Sequence, residues 1–289
     1  MEGTTAGLID RVRGRPQRPP GRCPDRARVD VGPVPQLQMA VRCCYELFPN
    51  WCDSAALVTM TDPSQVTDTY RQAAPGVRLD QLDGAARICF DRPPVNAFTV
   101  DMFGQFHAFL KQVAEDPRPL LLTGANGMFS AGYDIKQPGL DGAATLDAAR
   151  NCLAAIQDHP APVVAAVEGA AVGIGLLIAA SADILVISRS ARLRMPEVTL
   201  GIDSDVAPLR RYLPDSWIRR MCLAGETFTA TDMRLDYCAG ATVCEAGTTE
   251  QAAAAILESL AAIETSFLER AKRRLSESLF NGNVDRSRA

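Results

Sequence analysis

The chain has 289 residues, 47% hydrophobic and 22% charged, with 30 Lys and Arg against 34 Asp and Glu for a formal net charge of −4. That length and apolar content suffice for a real core, which excludes disorder of the whole chain, and the mildly acidic balance gives no field for gripping a phosphate backbone, so no nucleic-acid partner is expected. The longest strongly apolar stretch, Gly169 to Ala182, is 14 residues and ends at Asp183, too short to span a bilayer, so no membrane partner is expected either.

Residues 1–59 read as an arm. Seven arginines lie between Arg11 and Arg28 and six prolines fall before residue 36, a composition that cannot bury enough apolar surface to fold. The arm is disordered, or the reading frame starts too early and Met60 of "MTDPSQ" is the true first residue. From Val77 the pattern is that of an α/β domain. Asp83-Gly84 between two alternating apolar runs predicts a hairpin with strands near 77–81 and 86–90. Val100, Phe103, Phe106, Leu110 and Val113 recur at helical spacing until Asp116-Pro117 stops the helix. "PLLLTG" predicts a buried strand. Leu146, Ala149, Leu153 and Ile156 mark a helix ended by Pro160, "PVVAAVEG" the next strand, and "GIGLLIAASA" a helix apolar all round and therefore buried. "DILVIS" and "RLRM" are strands. From Ser216 onward the chain reads helical, apart from a short strand near 240–243 in "GATV". The expected organisation is a core over 60–215 and a helical region over 216–289, in an α/β fold with parallel pairing.

Nucleophile and metal chemistry find little support. The nine cysteines are scattered, form no C-x-x-C pair, and have only His107 and His159 for company, so they read as thiols in a reducing compartment and no metal site is expected. No charged n-region precedes an apolar h-region, and a cytoplasmic location is expected. The G-x-S-x-G elbow is absent. "GAAVGIG" lacks the G-x-G-x-x-G spacing, so no nicotinamide cofactor is expected.

Two glycine-bearing turns remain, "GMFSAGYDIK" (127–136) and "EGAAVGIG" (168–175). Each lies where a strand gives way to a loop or helix, so unpaired backbone N–H groups can point into one crevice. Small residues such as Ala131, Gly132 and Gly173 let a ligand approach the backbone. Two donors converging on one oxygen make an oxyanion hole, each worth ~10²–10³ in rate. Spacing alone leaves open the plainer role, glycines that let a helix pack on a strand.

"RPPVNAF" (92–98), "FSAGYDIK" (129–136), "AVEGAAVGIG" (166–175), "ASADILV" and "MPEVTLGI" (195–202), in this order, resemble the crotonase superfamily of enoyl-CoA hydratases and isomerases over about Val77 to Leu275. The resemblance implies a crotonase-like spiral of repeated β-β-α units closed by C-terminal helices. It implies an acyl-CoA thioester as substrate, with coenzyme A as part of that substrate and no separate cofactor. The N–H groups of Tyr133 and Ile174 stand at the family's oxyanion-hole positions. Asp134 and Lys136 match residues that face the CoA ribose and adenine, Ser130 and Ala131 line the same adenine pocket, and Gly173 and Leu177 border the acyl group.

The family's hydratases hold the attacking water between two carboxylates. The first of those positions is Leu177 here, and the second survives as Glu197. One carboxylate with an oxyanion hole is the equipment of an enoyl-CoA isomerase, in which one base moves a proton from C2 to C4, and burial beside Leu177 favours the neutral form of Glu197. Asp205 reads either as a second acid, which keeps a hydratase open as the alternative, or as a helix cap ahead of "VAPLRRYL". Asp203 is assigned to the turn. A homotrimer or hexamer is the expected assembly, against which the closing helices that build family trimers look shortened, and a non-catalytic acyl-CoA-binding relative is a third possibility.

Overall fold

The computed structural model describes residues 76–137, 142–200, 202 and 205–281. The arm over 1–59, Met60 and Asp203 lie outside the described residues. Among the described residues nine strands and seven helices follow in order: β1 (Val77–Leu82), β2 (Ala85–Phe90), α1 (Val100–Glu115), β3 (Leu120–Gly124), α2 (Gly142–Gln157), β4 (Val163–Val167), β5 (Ala170–Val172), α3 (Ile174–Ser181), β6 (Ile184–Ser188), β7 (Arg192–Arg194), α4 (Asp215–Ala224), β8 (Phe228–Thr229), α5 (Leu235–Cys238), β9 (Thr242–Cys244), α6 (Thr249–Ala261) and α7 (Thr265–Asn281). Two short 3₁₀ helices, Glu197–Leu200 and Ala207–Arg211, lie between β7 and α4.

The main sheet runs β1-β2-β3-β4-β6-β9, and a smaller one runs β5-β7-β8. β1 and β2 are the antiparallel hairpin that Asp83-Gly84 predicts, closing with Leu82 opposite Ala85. β2, β3, β4, β6 and β9 pair in parallel, as strands joined by crossing helices do. β9 joins β6, so the sheet draws on residues well past 215, and the expected core boundary there does not divide the strands. The sequence reading places β5 inside the glycine-bearing turn over 168–175 and the two-residue β8 inside the helical stretch after Ser216, so neither is expected as a strand. They close the smaller sheet on β7.

Helix α1 buries Met102, Phe103, Phe106, Leu110 and Val113, and Thr99 starts it by accepting the Met102 N–H at 3.2 Å. Phe106 and Phe98 stand edge-on to Phe90 of β2, at 5.1 and 4.9 Å between ring centres. Phe98 stacks on Phe103 at 4.9 Å, and Phe103 in turn touches the ring of Tyr133 at 5.7 Å. This chain of rings carries the core to the loop after β3. All eight residues of α3 are buried, as its all-round apolar sequence requires.

The last helix is tied down by charge. Lys272 of α7 is buried, its Nζ lies 2.7 Å from Asp183 Oδ2, and it also donates to Ala161 O at 3.2 Å. Asp183 Oδ2 accepts the Val163 N–H at 2.8 Å, so one carboxylate joins the start of β4 to the C-terminal helix. Removing Lys272 leaves the half-buried Asp183 with only its longer contact to Arg211 Nη1, at 3.8 Å. Lys272→Met is expected to cost roughly 3 kcal/mol, read as a lower urea midpoint with unchanged slope.

Candidate active site

Three segments meet at one crevice: the loop after β3, the junction of β5 with α3, and the 3₁₀ helix after β7. The first two are laced together by main-chain bonds. Phe129 N–H donates to Glu168 O at 2.9 Å, Ser130 N–H to Ala170 O at 3.0 Å, and Val172 N–H to Ser130 O at 3.0 Å. On the loop's other side Phe98 N–H donates to Gly132 O at 2.7 Å and Asp134 N–H to Phe98 O at 2.8 Å. Alternation along an extended chain then turns the Tyr133 N–H away from Phe98, and no acceptor for it exists among the described residues.

Two glycines allow the close approach. Gly132 has φ +90°, and a Cβ there would come within 2.7 Å of Val172 O. Gly173 has φ +54° and ψ −124°, and a Cβ there would strike Glu197 Oε1. Only a residue without a side chain fits either place. Gly173 caps α3, so the N–H of Ile174, at the first helical position, has no partner within the helix and sits at its positive end. Tyr133 and Ile174 each directly follow one of these two glycines, which pack side by side, the Gly132 Cβ position lying 3.9 Å from Gly173 Cα.

Glu197 closes that crevice. It is 4% exposed, and its Oε2 is buried with no hydrogen-bond partner. Burial, only weakly opposed by its own main-chain N–H, pushes its carboxyl up to about 7. Helix α4 packs against the 3₁₀ helix that carries Glu197, and Cys222 of α4 lies within the field of its charge. Leu177, 3% exposed on α3, adds apolar surface. A carboxylate at the edge of neutrality can take a proton from the carbon next to a carbonyl and give it back.

The other sequence-derived residues fall differently. Asp205 is exposed and its Oδ1 accepts the Ala207 N–H at 2.9 Å, closing a turn ahead of the second 3₁₀ helix, whose N-cap is Val206. Ser130 is fully buried: its hydroxyl donates to Asn96 O at 2.8 Å and accepts the Gly132 N–H at 3.1 Å. It shapes the loop instead of lining an adenine pocket. Asp134 is buried and held by Arg92, with Nη2 2.7 Å from Oδ2, while Oδ1 accepts the Lys136 N–H at 3.0 Å. Its carboxylate braces the loop rather than facing a ribose. Lys136 is exposed and Ala131 half-buried. Among the described residues no group of three or more His, Cys, Asp or Glu could hold a metal, and no helix is long and apolar enough to cross a membrane.

Arg92 and Asn96 are supports that the sequence reading quoted within a motif but gave no role. Asn96 is buried at φ +53°, accepts the Arg92 N–H at 2.9 Å through Oδ1, and donates from Nδ2 to Ala125 O at 3.0 Å and Met128 O at 2.6 Å. The available signal was an Asn placed where a chain must reverse. Asn96→Ala removes the amide donors from two part-buried carbonyls and strains a left-handed backbone, and is expected to cost roughly 2 kcal/mol of unfolding free energy. Asn96→Gly, which keeps the backbone geometry, is expected to lose less in the same denaturation measurement.

The family model described as enoyl-CoA hydratase/isomerase matches residues 80–279. The chain therefore belongs to the enoyl-CoA hydratase/isomerase family, and its alternating strands and helices carry the crotonase fold. A (7aS)-7a-methyl-1,5-dioxo-2,3,5,6,7,7a-hexahydro-1H-indene-carboxyl-CoA hydrolase of Mycobacterium tuberculosis is 30% identical over 200 residues, 67% of this chain and 81% of that one. A carnitinyl-CoA dehydratase of Salmonella arizonae is 33% identical over 166 residues, 54% of this chain and 63% of that protein. The chain spans from 52% to 81% of the length of eight of the curated relatives it matches. An enoyl-CoA hydratase from Bacillus anthracis shares the fold at TM-score 0.66 and 22% identity, over 71% of this chain and 83% of that one.

Proposed function

We propose that this chain forms an enolate on an acyl-CoA thioester and uses it to move a carbon–carbon double bond along the acyl chain. The N–H groups of Tyr133 and Ile174 hold the thioester oxygen. Glu197 removes a proton from C2 of a 3-enoyl thioester, negative charge gathers on the held oxygen, and the same carboxyl returns the proton at C4, leaving the 2-enoyl product. Bonds and charge balance with one base and no cofactor besides the coenzyme A of the substrate. The observation that carries this reading is the buried Glu197 carboxylate, its Oε2 without a hydrogen-bond partner, lodged against Gly173. Leu177 supports it, because an alkyl side chain cannot orient an attacking water.

The test is incubation with a 3-enoyl-CoA while the absorbance of the 2-enoyl thioester is followed. Turnover that Glu197→Gln abolishes supports the reading; absence of turnover, or a fully active variant, overturns it. Because relatives carry the names of a dehydratase and a hydrolase, water addition to crotonyl-CoA is measured in parallel. The runner-up pairs Glu197 with Asp205, and it requires that this addition fall with Asp205→Asn. The exposed, turn-bound carboxylate of Asp205 argues against that outcome. Calorimetric binding of a CoA ester without either turnover would leave a binding protein.

A further inference from the structure

We propose that Arg211 and Tyr212 are positioning residues for this site: by clamping the far end of α3 they set where the Ile174 N–H stands, and so how strongly the carbonyl of a bound thioester is polarised. The proposal rests on the reading above for which oxygen that N–H meets. It adds two residues at the opposite end of the same helix, which at eight residues is about 12 Å long.

α3 is wholly buried, so apolar packing surrounds it. Such packing is non-directional, and what fixes the helix along its axis is the hydrogen bonding at its two ends. At the N-terminal end Gly173 N–H donates to Arg194 O at 2.9 Å. At the C-terminal end the last carbonyls of a helix lack partners within it, and here those of Ser181 and of the C-cap Ala182 are met from outside. Arg211, which ends the second 3₁₀ helix, donates from Nη1 to Ala182 O at 2.8 Å and to Ser181 O at 3.4 Å. Tyr212 donates its hydroxyl to the same Ala182 O at 2.9 Å. Two side chains adjacent in sequence thus converge on one carbonyl. Tyr212 is buried, and that burial pushes its phenol up to about 12, so it stays a donor. Arg211 brings a cation to the negative end of the helix.

The clamp also stands between the two halves of the site. The second 3₁₀ helix packs against α3 and against α4, and α4 packs on the 3₁₀ helix that carries Glu197. A shift of α3 toward its C-terminal end would therefore move the Ile174 N–H relative to a carboxylate held by other elements. Pairing with Asp183 does not account for Arg211, whose Nη1 lies 3.8 Å from that carboxylate while Lys272 Nζ lies 2.7 Å from it. Packing does not account for the Tyr212 hydroxyl, because phenylalanine would fill the same space.

The experiment is infrared difference spectroscopy on the full chain with butyryl-CoA carrying a ¹³C label at the thioester carbonyl, repeated on Arg211→Met, Tyr212→Phe and the double variant. A carbonyl gripped by N–H donors stretches at lower frequency than the free ester, so the stretch reads the grip directly, which loss of fold stability alone would not move. The unmodified protein is expected to lower the stretch, the double variant to lose most of that displacement, and each single variant to fall between, with Arg211→Lys restoring most of what Arg211→Met loses. In the double variant kcat for a 3-enoyl-CoA is expected to fall about tenfold with KM within about twofold, and the pH at which kcat/KM levels off is expected to stay where it is, because the base is not the group displaced. A displacement equally large in the unmodified protein and the double variant overturns the proposal. Should Arg211→Met not fold, Tyr212→Phe decides alone: a reduced displacement supports the clamp and an unchanged one overturns it. The two failures are separable, because a displacement that ignores the variants sinks the clamp and leaves the reading above standing, whereas a stretch not displaced even in the unmodified protein sinks the assignment of the Ile174 N–H and the clamp with it.

Discussion

Glu197→Gln is expected to lower turnover of a 3-enoyl-CoA by about 10²–10⁴-fold, while affinity for the CoA ester stays within a few-fold. The amide has nearly the shape of the acid, so it fills the same space against Gly173 and leaves the N–H groups of Tyr133 and Ile174 where they are. What it lacks is a lone pair that can take the C2 proton. Burial pushes the carboxyl up to about 7, and only the deprotonated form is a base. In the unmodified protein kcat/KM is therefore expected to rise about tenfold per pH unit below that value and to level off above it. The residual rate of Glu197→Gln is expected to lack that rise. A kcat/KM that stays flat from pH 5 to 8 in the unmodified protein would show that Glu197 is not the titrating base.

The same burial links the residue to stability. A carboxyl that titrates near 4.5 in the unfolded chain titrates at about 7 in the folded one. Between those values the folded chain keeps a proton that the unfolded chain has released, so stability falls as pH rises through that window. Once pH is above both values the loss amounts to about 3 kcal/mol. Gln does not ionise and escapes the loss, so Glu197→Gln is expected to be more stable than the unmodified protein at pH 8 and to differ least from it at pH 4. Chemical denaturation at the two values measures this. An enzyme that keeps a destabilising acid in its core and gains stability when it is removed has that acid for its chemistry.

The sheet and its crossing helices were legible because their residues repeat. Phe103, Phe106 and Leu110 mark one face of α1, and the apolar runs of β3, β4 and β6 are long enough to read as buried strands. The hairpin at Asp83-Gly84 was legible for another reason, since a two-residue turn has few chemical solutions. β5 was hidden inside a glycine-bearing turn, and β8, at two residues, is too short to show a period. At the candidate site, what a single residue dictates by itself could be read: Gly132 and Gly173 imply close approach, and Leu177 excludes a water anchor. What depends on a partner distant in sequence could not. Asp134 looked like a ligand contact until Arg92, 42 positions earlier, was found to hold it. Asp205 could be an acid or a cap until its bond to the Ala207 N–H was known. A polar side chain beside a glycine-rich turn serves either the loop or the ligand, and only the fold reveals which of its atoms are already satisfied.

Gly173→Ala is the substitution expected to injure both the base and the oxyanion hole with a single methyl group. At φ +54° and ψ −124° the backbone lies where L side chains are strained, at a cost of about 1–3 kcal/mol. The new Cβ would also occupy the space of Glu197 Oε1. Something must give, and the two candidates are the carboxylate and the start of α3, which carries the Ile174 N–H. Either displacement is harmful, because moving a reacting group by about 1 Å can cost about 10²-fold in rate. The expected result is a kcat lower by about 10²-fold or more, with an unfolding free energy lower by roughly 2 kcal/mol. The double variant with Glu197→Gln separates the two routes. If the methyl acts mainly by displacing the carboxylate, Gly173→Ala adds little to the loss already caused by Glu197→Gln. If it acts mainly by shifting α3, the losses multiply, because the N–H of Ile174 still stabilises whatever slow reaction the amide variant retains. A folded Gly173→Ala protein with unimpaired kcat would mean that this crevice is not where the chemistry happens.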